Sequence, residues 1–250
     1  MGNISQFASH QILDSVLGCQ YSFFMESLDS FYIGFSTTPI GEDGVGATEP
    51  TFDPNYIRLR VPRSGAGFSE AGAPLRTIRT IIEDVGLPST LNWGNVIYFM
   101  IFDAPLERND IQTPNRNGGS LWFYGRLDEA VNIQEGDSLW LKPNSCEIIL
   151  DICGGSTDEM RLSSYASNAL LNYIFRLDRP MFFPPNFYVG LSSTAITASG
   201  GNITEPPVNS GYMRLELPNN KDTFANASNK QVTVAQIFKF PIAITPWVFS

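Results

Sequence analysis

Apolar and polar residues alternate along one stretch of this chain that occurs twice. The first copy runs from Phe31 to Pro62 and the second from Phe187 to Pro218, at a constant offset of 156 positions (187 − 31). Both ends of each copy alternate with a period of two, which predicts β-strands with one face on a core. Because the register holds without a gap, the pattern predicts a repeated structural unit and thus a tandem duplication.

A short amphipathic helix is predicted before each copy. Ser5 to Leu17 places its apolar residues largely on one side, with Ser5 as a possible N-cap and Gly18 at the C′ position. Ser163 to Arg176 has the same pattern at an offset of 158 positions, measured from Phe7 to Tyr165 (165 − 7). The connection from helix to strand is therefore two residues longer in the first copy.

The first copy continues with further short segments of strand character. Asn95 to Asp103 is so apolar that both of its faces must be covered, which predicts a central strand. The other predicted strands are Leu75 to Val85, Leu121 to Leu127, two short runs around a Glu135-Gly136-Asp137 turn in Val131 to Pro143, and Cys146 to Ile152. Several short strands separated by turns predict a mainly β fold, either a sandwich or a partly closed barrel.

The repeat divides the chain into two predicted domains. Residues 1–154 form a complete β-domain, the polar segment from Gly154 to Met160 is the boundary, and residues 155–250 form a shortened second copy. The second copy contains strands at Phe187 to Ser192, Tyr212 to Leu217 and Gln231 to Phe240, and its Trp247 corresponds to Trp93. It has no counterpart of the strands near Asn95, Leu121, Leu139 and Cys146.

Such a half-sandwich would have an open strand edge and an uncovered apolar face. Two explanations remain open. A neighbouring chain or the first domain completes the second sheet by strand addition, which is the favoured interpretation. Alternatively, the second copy forms a smaller fold of its own.

Composition narrows the classes of function. Charged residues make up only 16% of the chain, and the net charge is −9 with 16 basic and 25 acidic side chains. Since binding to a phosphate backbone needs a positive patch, a general nucleic-acid role is disfavoured. No window resembles a membrane span or a secretory signal, so assembly in a cytoplasm is expected.

Residues with catalytic or metal-binding chemistry are few. His10 is the single histidine and is interpreted as a residue of the helix surface. Cys19, Cys146 and Cys153 are an odd number without a CxxC motif, which favours buried thiols over disulfides or zinc ligands. No nucleophile elbow or phosphate-binding glycine loop occurs, and no cofactor is expected.

Two groups of carboxylates leave alternatives open. Glu42, Asp43, Glu49 and Asp53 cluster in the long connection of the first copy, where they could hold Ca²⁺, although a solvated acidic loop is the preferred interpretation. Pairs for glycoside hydrolysis, such as Asp103 with Glu107 or Asp110, depend on their separation in space.

One charged pair is retained in both copies. Glu49 and Arg58 correspond to Glu205 and Arg214. We interpret them as structural: each carboxylate either accepts from backbone N–H groups of the loop or pairs with the arginine to hold the connection against the second strand. A binding contact is the alternative.

A series of motifs in the first copy resembles a family of small tailed-bacteriophage virion proteins described as tail-fibre-like. The resemblance covers the first copy throughout and the second as far as Trp247. Its segments are Ile12 to Gly18, Tyr32 to Thr38, Thr48 to Pro50, Tyr56 to Arg58, Trp93 to Ala104, Phe123 to Leu127 and Val131 to Leu141. It implies a virion β-domain without an enzymatic activity, and the second, shortened copy departs from the family's usual single copy.

The expected function is therefore that of a structural component of a phage particle, in the tail, baseplate or tail fibre. It would form homo- or hetero-oligomers through β-edges and apolar faces. The candidate interface residues are Trp122, Tyr124, Trp140, Phe238, Phe240 and Trp247. The alternatives are a capsid decoration protein and a carbohydrate-binding module for host-surface glycans, in which Trp122, Tyr124 or Trp140 would stack on sugar rings; a hydrolase ranks third.

Overall fold

A computed structural model describes residues 2–17, 27–72, 77–81, 85–106, 119–149, 162–178, 183–197, 199–228 and 231–247. The structure is mainly β, as the alternating pattern predicts, and its sheets are antiparallel. None of the sheets within these ranges closes into a barrel. In the same ranges no helix has the length and apolar character needed to cross a membrane.

Two α-helices and eleven strands are described. The helices are α1 (Gln6–Val16) and α2 (Ser164–Phe175), and a short 3-10 helix spans Val208–Ser210. The strands are β1 (Gly2–Ile4), β2 (Ser30–Ser36), β3 (Leu59–Pro62), β4 (Thr77–Arg79), β5 (Val85–Pro88), β6 (Gly94–Phe102), β7 (Leu121–Ile133), β8 (Ser138–Leu141), β9 (Glu147–Ile149), β10 (Asn186–Val189) and β11 (Leu215–Pro218).

The main sheet has five antiparallel strands in the order β1-β7-β6-β2-β3. Strand β6 lies in its centre, which confirms the prediction from its apolar sequence, and Ile101 faces Ile33 of β2 and Phe123 of β7. Strand β7 is longer than predicted, because it continues through Val131 to Ile133 alongside the start of β6.

Two short two-stranded ladders pack on the same core as this sheet. Strand β4 pairs with β9, and β5 pairs with β8. Their buried residues Ile78, Ile148, Leu87 and Leu139 belong to the same hydrophobic core as Phe31 of the main sheet. The two ladders therefore share one hydrophobic core with the main sheet.

The second copy repeats the β2–β3 pair and little else of the sheet. Strand β10 pairs with β11 in the register of β2 with β3, so that Asn186 faces Pro218 as Ser30 faces Pro62. The prediction of a strand from Gln231 to Phe240 is wrong, because this segment forms only isolated bridges, at Gln231 and Val234. Its first-copy counterparts, β4 and β5, pair with β9 and β8, and the described residues contain no second-copy equivalent of those partners.

Both predicted helices are confirmed, as is the predicted N-cap at Ser5, and the structure adds an N-cap at Ser163. The Ser5 hydroxyl accepts a hydrogen bond from the Ala8 N–H at 3.0 Å, and the Ser163 hydroxyl accepts one from the Ala166 N–H at 3.2 Å. Each hydroxyl satisfies one of the N–H groups that the first helical turn leaves without a partner.

Helix α2 precedes the second copy in the chain but packs in the core of the first. Its Phe175 ring lies 5.1 Å from the Phe31 ring and 4.8 Å from the Phe68 ring, centroid to centroid. The Asn172 side chain accepts from the Ala71 N–H at 2.9 Å and donates to the Ala71 carbonyl at 3.2 Å. The buried Arg63 donates from Nε to the carbonyl of Ile174 at 2.6 Å.

Helix α1 makes the corresponding contacts with the second copy. Asp14, the equivalent of Asn172, accepts from the N–H of Ala227 at 2.6 Å. Asn219, the equivalent of Arg63, donates to the carbonyl of Val16 at 3.1 Å. Helix α2 thus docks on the first copy, whereas α1 packs on β7 of its own copy and also forms hydrogen bonds to the second. The predicted division between residues 154 and 155 therefore separates the two repeats in sequence, whereas side-chain contacts connect the residues on either side of it. The predicted boundary segment, Gly154 to Met160, lies outside the described residues.

Candidate functional site: a repeated carboxylate, tyrosine and arginine cluster

The charged pair retained in both copies forms the most distinctive polar arrangement in the structure. In the first copy, Glu49 accepts a hydrogen bond from the Tyr56 hydroxyl at 2.6 Å. The Arg58 guanidinium donates to the same carboxylate from Nε at 3.1 Å and from Nη2 at 2.6 Å. Tyr56 also accepts from the Phe35 N–H at 2.9 Å. The cluster fixes the long connection to strands β2 and β3, which supports the structural interpretation of the pair.

A glycine of strand β2 makes room for this cluster. A Cβ at Gly34 would lie 2.5 Å from the Glu49 carboxylate and 3.2 Å from the Tyr56 oxygen. The alternating strand therefore needs a residue without a side chain at this one position.

The second copy contains the same cluster. The Tyr212 hydroxyl donates to Glu205 at 2.7 Å, and Arg214 donates to that carboxylate from Nε at 2.9 Å and from Nη2 at 2.7 Å. Tyr212 accepts from the Leu191 N–H at 2.8 Å, and a Cβ at Gly190 would lie 2.6 Å from Glu205. The repeat thus preserves the geometry as well as the residue types.

The two clusters differ in how they are covered. The Phe102 ring of β6 lies over the Arg58 guanidinium at 3.4 Å from its centroid, and Arg58 also donates to the Ala104 carbonyl at 3.3 Å. The Arg58 side chain is consequently only 4% exposed. The Arg214 side chain is 56% exposed. The second cluster thus has the geometry of the first without the cover that β6 supplies.

Hydrogen bonding shifts the pKa of Glu205, and burial shifts the pKa of Tyr56. The hydrogen bonds from Arg214 and Tyr212 lower the pKa of Glu205 to about 2. Burial, together with the Glu49 charge, raises the pKa of Tyr56 well above its usual value. Each carboxylate is engaged by a cation and a phenol, so the arrangement is suited to holding a loop in place.

We expect the Glu205 carboxyl resonance to titrate with a midpoint near pH 2. Because the folded pKa lies below the ordinary value of 4.5, ionised Glu205 stabilises the fold fully above about pH 4.5, and this contribution is lost as the pH falls toward 2. Arg214→Ala should move the midpoint back toward 4.5 in a carboxyl NMR titration. Arg60→Ala, which removes an exposed arginine of β3, should leave it unchanged.

Two of the aromatic residues predicted at an interface are interior residues. Trp122 is fully buried and Tyr124 is nearly so, because β7 lies inside the main sheet and packs against α1 and β6. The prediction that either could stack on a sugar at the surface is therefore wrong. Trp140 is exposed, and its ring lies against Gly86, where a Cβ would be 3.1 Å from the ring atoms.

The remaining candidate aromatics belong to the second copy. Phe238, Phe240 and Trp247 are each partly buried. Phe240 and Trp247 pack against Tyr212, with ring centroids 6.2 Å and 5.4 Å away. Trp247 thereby repeats the contact of Trp93 with Tyr56 in the first copy, which is also 5.4 Å. A role for these three residues in binding a partner stays a prediction.

The four acidic residues in the long connection of the first copy do not form one solvated cluster. Asp53 is buried and accepts from Trp93 Nε1 at 2.7 Å and from the N–H groups of Thr90 and Leu91 at 2.7 and 3.0 Å. Burial opposes its ionisation, but hydrogen bonds led by that of the Thr90 side chain hold its pKa well below the usual range. Glu42 and Asp43 are exposed, and no group of three or more potential metal ligands occurs among the residues described above.

The structure describes the other chemically reactive candidates only in part. Asp103 accepts from Trp122 Nε1 at 3.0 Å, and burial raises its pKa; its proposed partners Glu107 and Asp110 lie outside the described residues. Cys146 is a buried free thiol, as predicted, with a pKa raised to about 12 by burial. Cys19 and Cys153 also lie outside the described residues. His10 lies on α1 and is partly buried.

Sequence reasoning missed Arg63 and the two helix contacts of Asn172 and Asp14. The available signal was the repeat itself. Asp14 precedes Asn172 by 158 positions (172 − 14), and Ala71 precedes Ala227 by 156 (227 − 71), so both partners of each contact occupy equivalent positions.

Comparison with known proteins adds no family to these observations. No protein-family model matches the chain, and no curated protein sequence matches it.

Proposed function

We propose that this chain is a non-enzymatic structural component of a tailed-bacteriophage particle, located in the tail, baseplate or tail fibre. The motifs from Tyr32 to Thr38 and from Trp93 to Ala104 support the virion assignment through their resemblance to tail-fibre-like proteins. The cluster of glutamate, tyrosine and arginine has the same geometry in both copies and fixes a loop to its strands. Such rigid β-units suit a structural component.

The observation that carries the proposal is the unequal cover of two equivalent strands. Strand β2 lies between β3 and β6, whereas β10 pairs only with β11 among the described residues. Ile33 of β2 is 0% exposed, and its counterpart Val189 of β10 is 39% exposed. An open strand edge with apolar neighbours is suited to assembly with another subunit.

The proposal is tested on particles. Antibodies against this chain should label purified phage particles produced from the genome that encodes it, and the label should lie on the tail or its baseplate in electron micrographs. Label on the head would assign the chain to capsid decoration. Absence of the chain from purified particles, by mass spectrometry of their protein, would contradict the proposal.

A second candidate function rests on Trp140. Its exposed ring is supported on one side by Gly86, an arrangement that can stack against a sugar ring. Glycan-array binding that is lost in Trp140→Ala would favour a carbohydrate-binding module. Binding that is absent in the wild-type chain, together with incorporation into particles, would favour the structural function.

A further inference from the structure

The second copy contains one half of a hydrophobic cluster that is complete in the first. In the first copy, Ile40, Tyr32 and Ala47 pack with residues of β6 and β7. Those β6 and β7 residues are Tyr98, Met100, Phe102, Leu121 and Tyr124. The cluster lies beside the Glu49 and Arg58 pair, since Phe102 belongs to it and also covers Arg58.

The second-copy counterparts of Ile40, Tyr32 and Ala47 are exposed. Ile196, Tyr188 and Ile203 occupy the positions of Ile40, Tyr32 and Ala47, and each is at least half exposed. Tyr188 lies on β10. Ile196 and Ile203 lie in the connection from β10 to β11, which also contains Glu205 and Arg214. An apolar patch of this kind, next to a half-exposed guanidinium, is characteristic of an interaction surface.

Within the described ranges β10 pairs only with β11, and its other edge has the hydrogen-bonding groups for another strand. The Asn219 N–H donates to the Pro185 carbonyl at 2.7 Å, and hydrogen-bonded pairs recur at every second residue of an antiparallel ladder. The N–H and carbonyl of Tyr188 therefore point away from β11. In the first copy the equivalent residue, Tyr32, faces Phe102 of β6 at this edge.

We propose that the edge of β10 binds an antiparallel β-strand of a different polypeptide, which places an aromatic ring over Arg214 and apolar side chains on Tyr188, Ile196 and Ile203. The first copy shows the chemistry of the occupant, because β6 fills the equivalent position with Phe102, Met100 and Tyr98. Strand β6 of a second copy is not available as the donor, since it pairs on both sides with β2 and β7. This inference names the partner surface of the proposed assembly function and rests on it.

A peptide tests the surface without any particle. The probe is residues 94–104 of this chain with two lysines added at each end for solubility, bound to the full-length protein and followed by fluorescence anisotropy. We expect saturable binding, and amide hydrogen exchange at Tyr188 and Gly190 should slow on addition of the peptide. A peptide with Phe102→Ala should bind about tenfold more weakly, because it loses the ring over Arg214.

Matched variants locate the site. Ile196→Lys places a charge in the exposed half-cluster and should weaken peptide binding at least tenfold, whereas Ile57→Lys, at an exposed isoleucine of the first copy, should not change it. Both positions are exposed, so both variants should fold. Equal binding by the two variants would overturn the proposal, as would slow amide exchange at Tyr188 and Gly190 in a monomeric protein without peptide.

Two further outcomes separate this inference from the proposed function. If the wild-type chain enters particles and Ile196→Lys enters equally well, the edge is not the assembly contact, although the virion function stands. If the wild-type chain is absent from particles, the proposed virion function is wrong. The peptide experiment then still shows whether the edge of β10 binds another strand. Self-association of the wild-type protein that Ile196→Lys abolishes would assign the edge to a second copy and overturn the proposal of a different polypeptide.

Discussion

Replacing Asp53 with alanine should lower the free energy of unfolding by about 3 kcal/mol or more. The change leaves the buried indole N–H of Trp93 and the N–H groups of Thr90 and Leu91 without their acceptor. These groups belong to the turn between β5 and β6, so the loss should loosen the entry to the central strand. Urea denaturation followed by tryptophan fluorescence measures the effect.

The repeat offers a matched control for this substitution. Asn209 occupies the position of Asp53 in the second copy and is exposed, so Asn209→Ala should change the free energy of unfolding by less than about 0.5 kcal/mol. Equal effects of the two substitutions would contradict the assignment of Asp53 as a buried acceptor.

The lowered pKa of Asp53 also makes the free energy of unfolding depend on pH. Its folded pKa is held well below the usual range, so its ionised form stabilises the fold above the unfolded pKa of about 4. That contribution is lost as the pH falls from about 4 toward the lower folded value. In Asp53→Asn, the fall in stability over this acid range should be smaller than in the wild-type chain.

Replacing Arg63 with methionine should cost about 3 kcal/mol of unfolding free energy. Its guanidinium is fully buried and donates to the carbonyls of Ile174, Leu28 and Tyr173 at 2.6, 2.6 and 2.8 Å. Two of these carbonyls belong to the last turn of α2, where a cation also interacts favourably with the helix dipole. Methionine retains most of the volume but neither a donor nor a charge, so the substitution removes the hydrogen bonds and the charge together.

Asn219→Ala is the corresponding change in the second copy. Asn219 donates to Val16 and Pro184 at 3.1 Å, and as a neutral donor it should contribute only about 1 kcal/mol. Chemical denaturation measures both variants, and amide exchange in α2 should increase in Arg63→Met alone. Unchanged exchange in α2 would contradict the inference that Arg63 anchors this helix.

Arg63 and Asn219 matter because each connects its copy to the helix that precedes the other copy. Helix α2 fills the core of the first copy through Phe175, and α1 contacts the second copy through Asp14. A substitution at either docking site should therefore affect both copies, although the two are separate in sequence.

The candidate site was predictable in part. The repeat indicated a structural role for Glu49, Arg58, Glu205 and Arg214, but it left open whether each carboxylate bonds to backbone N–H groups or to the arginine. The structure shows the Glu–Arg pairing in both copies. Tyr56 and Tyr212 complete the cluster and were visible in the same alignment. The burial of Asp53 was not predictable, since an acidic residue among Gly and Pro has the local pattern of a solvated loop.

The sequence by itself determined the mainly β class, the capped helices, the central position of β6 and the duplication. These features depend on local periodicity and on side chains that act within a few residues. Only the tertiary structure decided which helix packs on which copy, that Trp122 is interior, and that Arg214 is half exposed while Arg58 is covered. Those outcomes depend on contacts between residues far apart in the chain, and a local pattern of apolar and polar positions does not specify its distant partner.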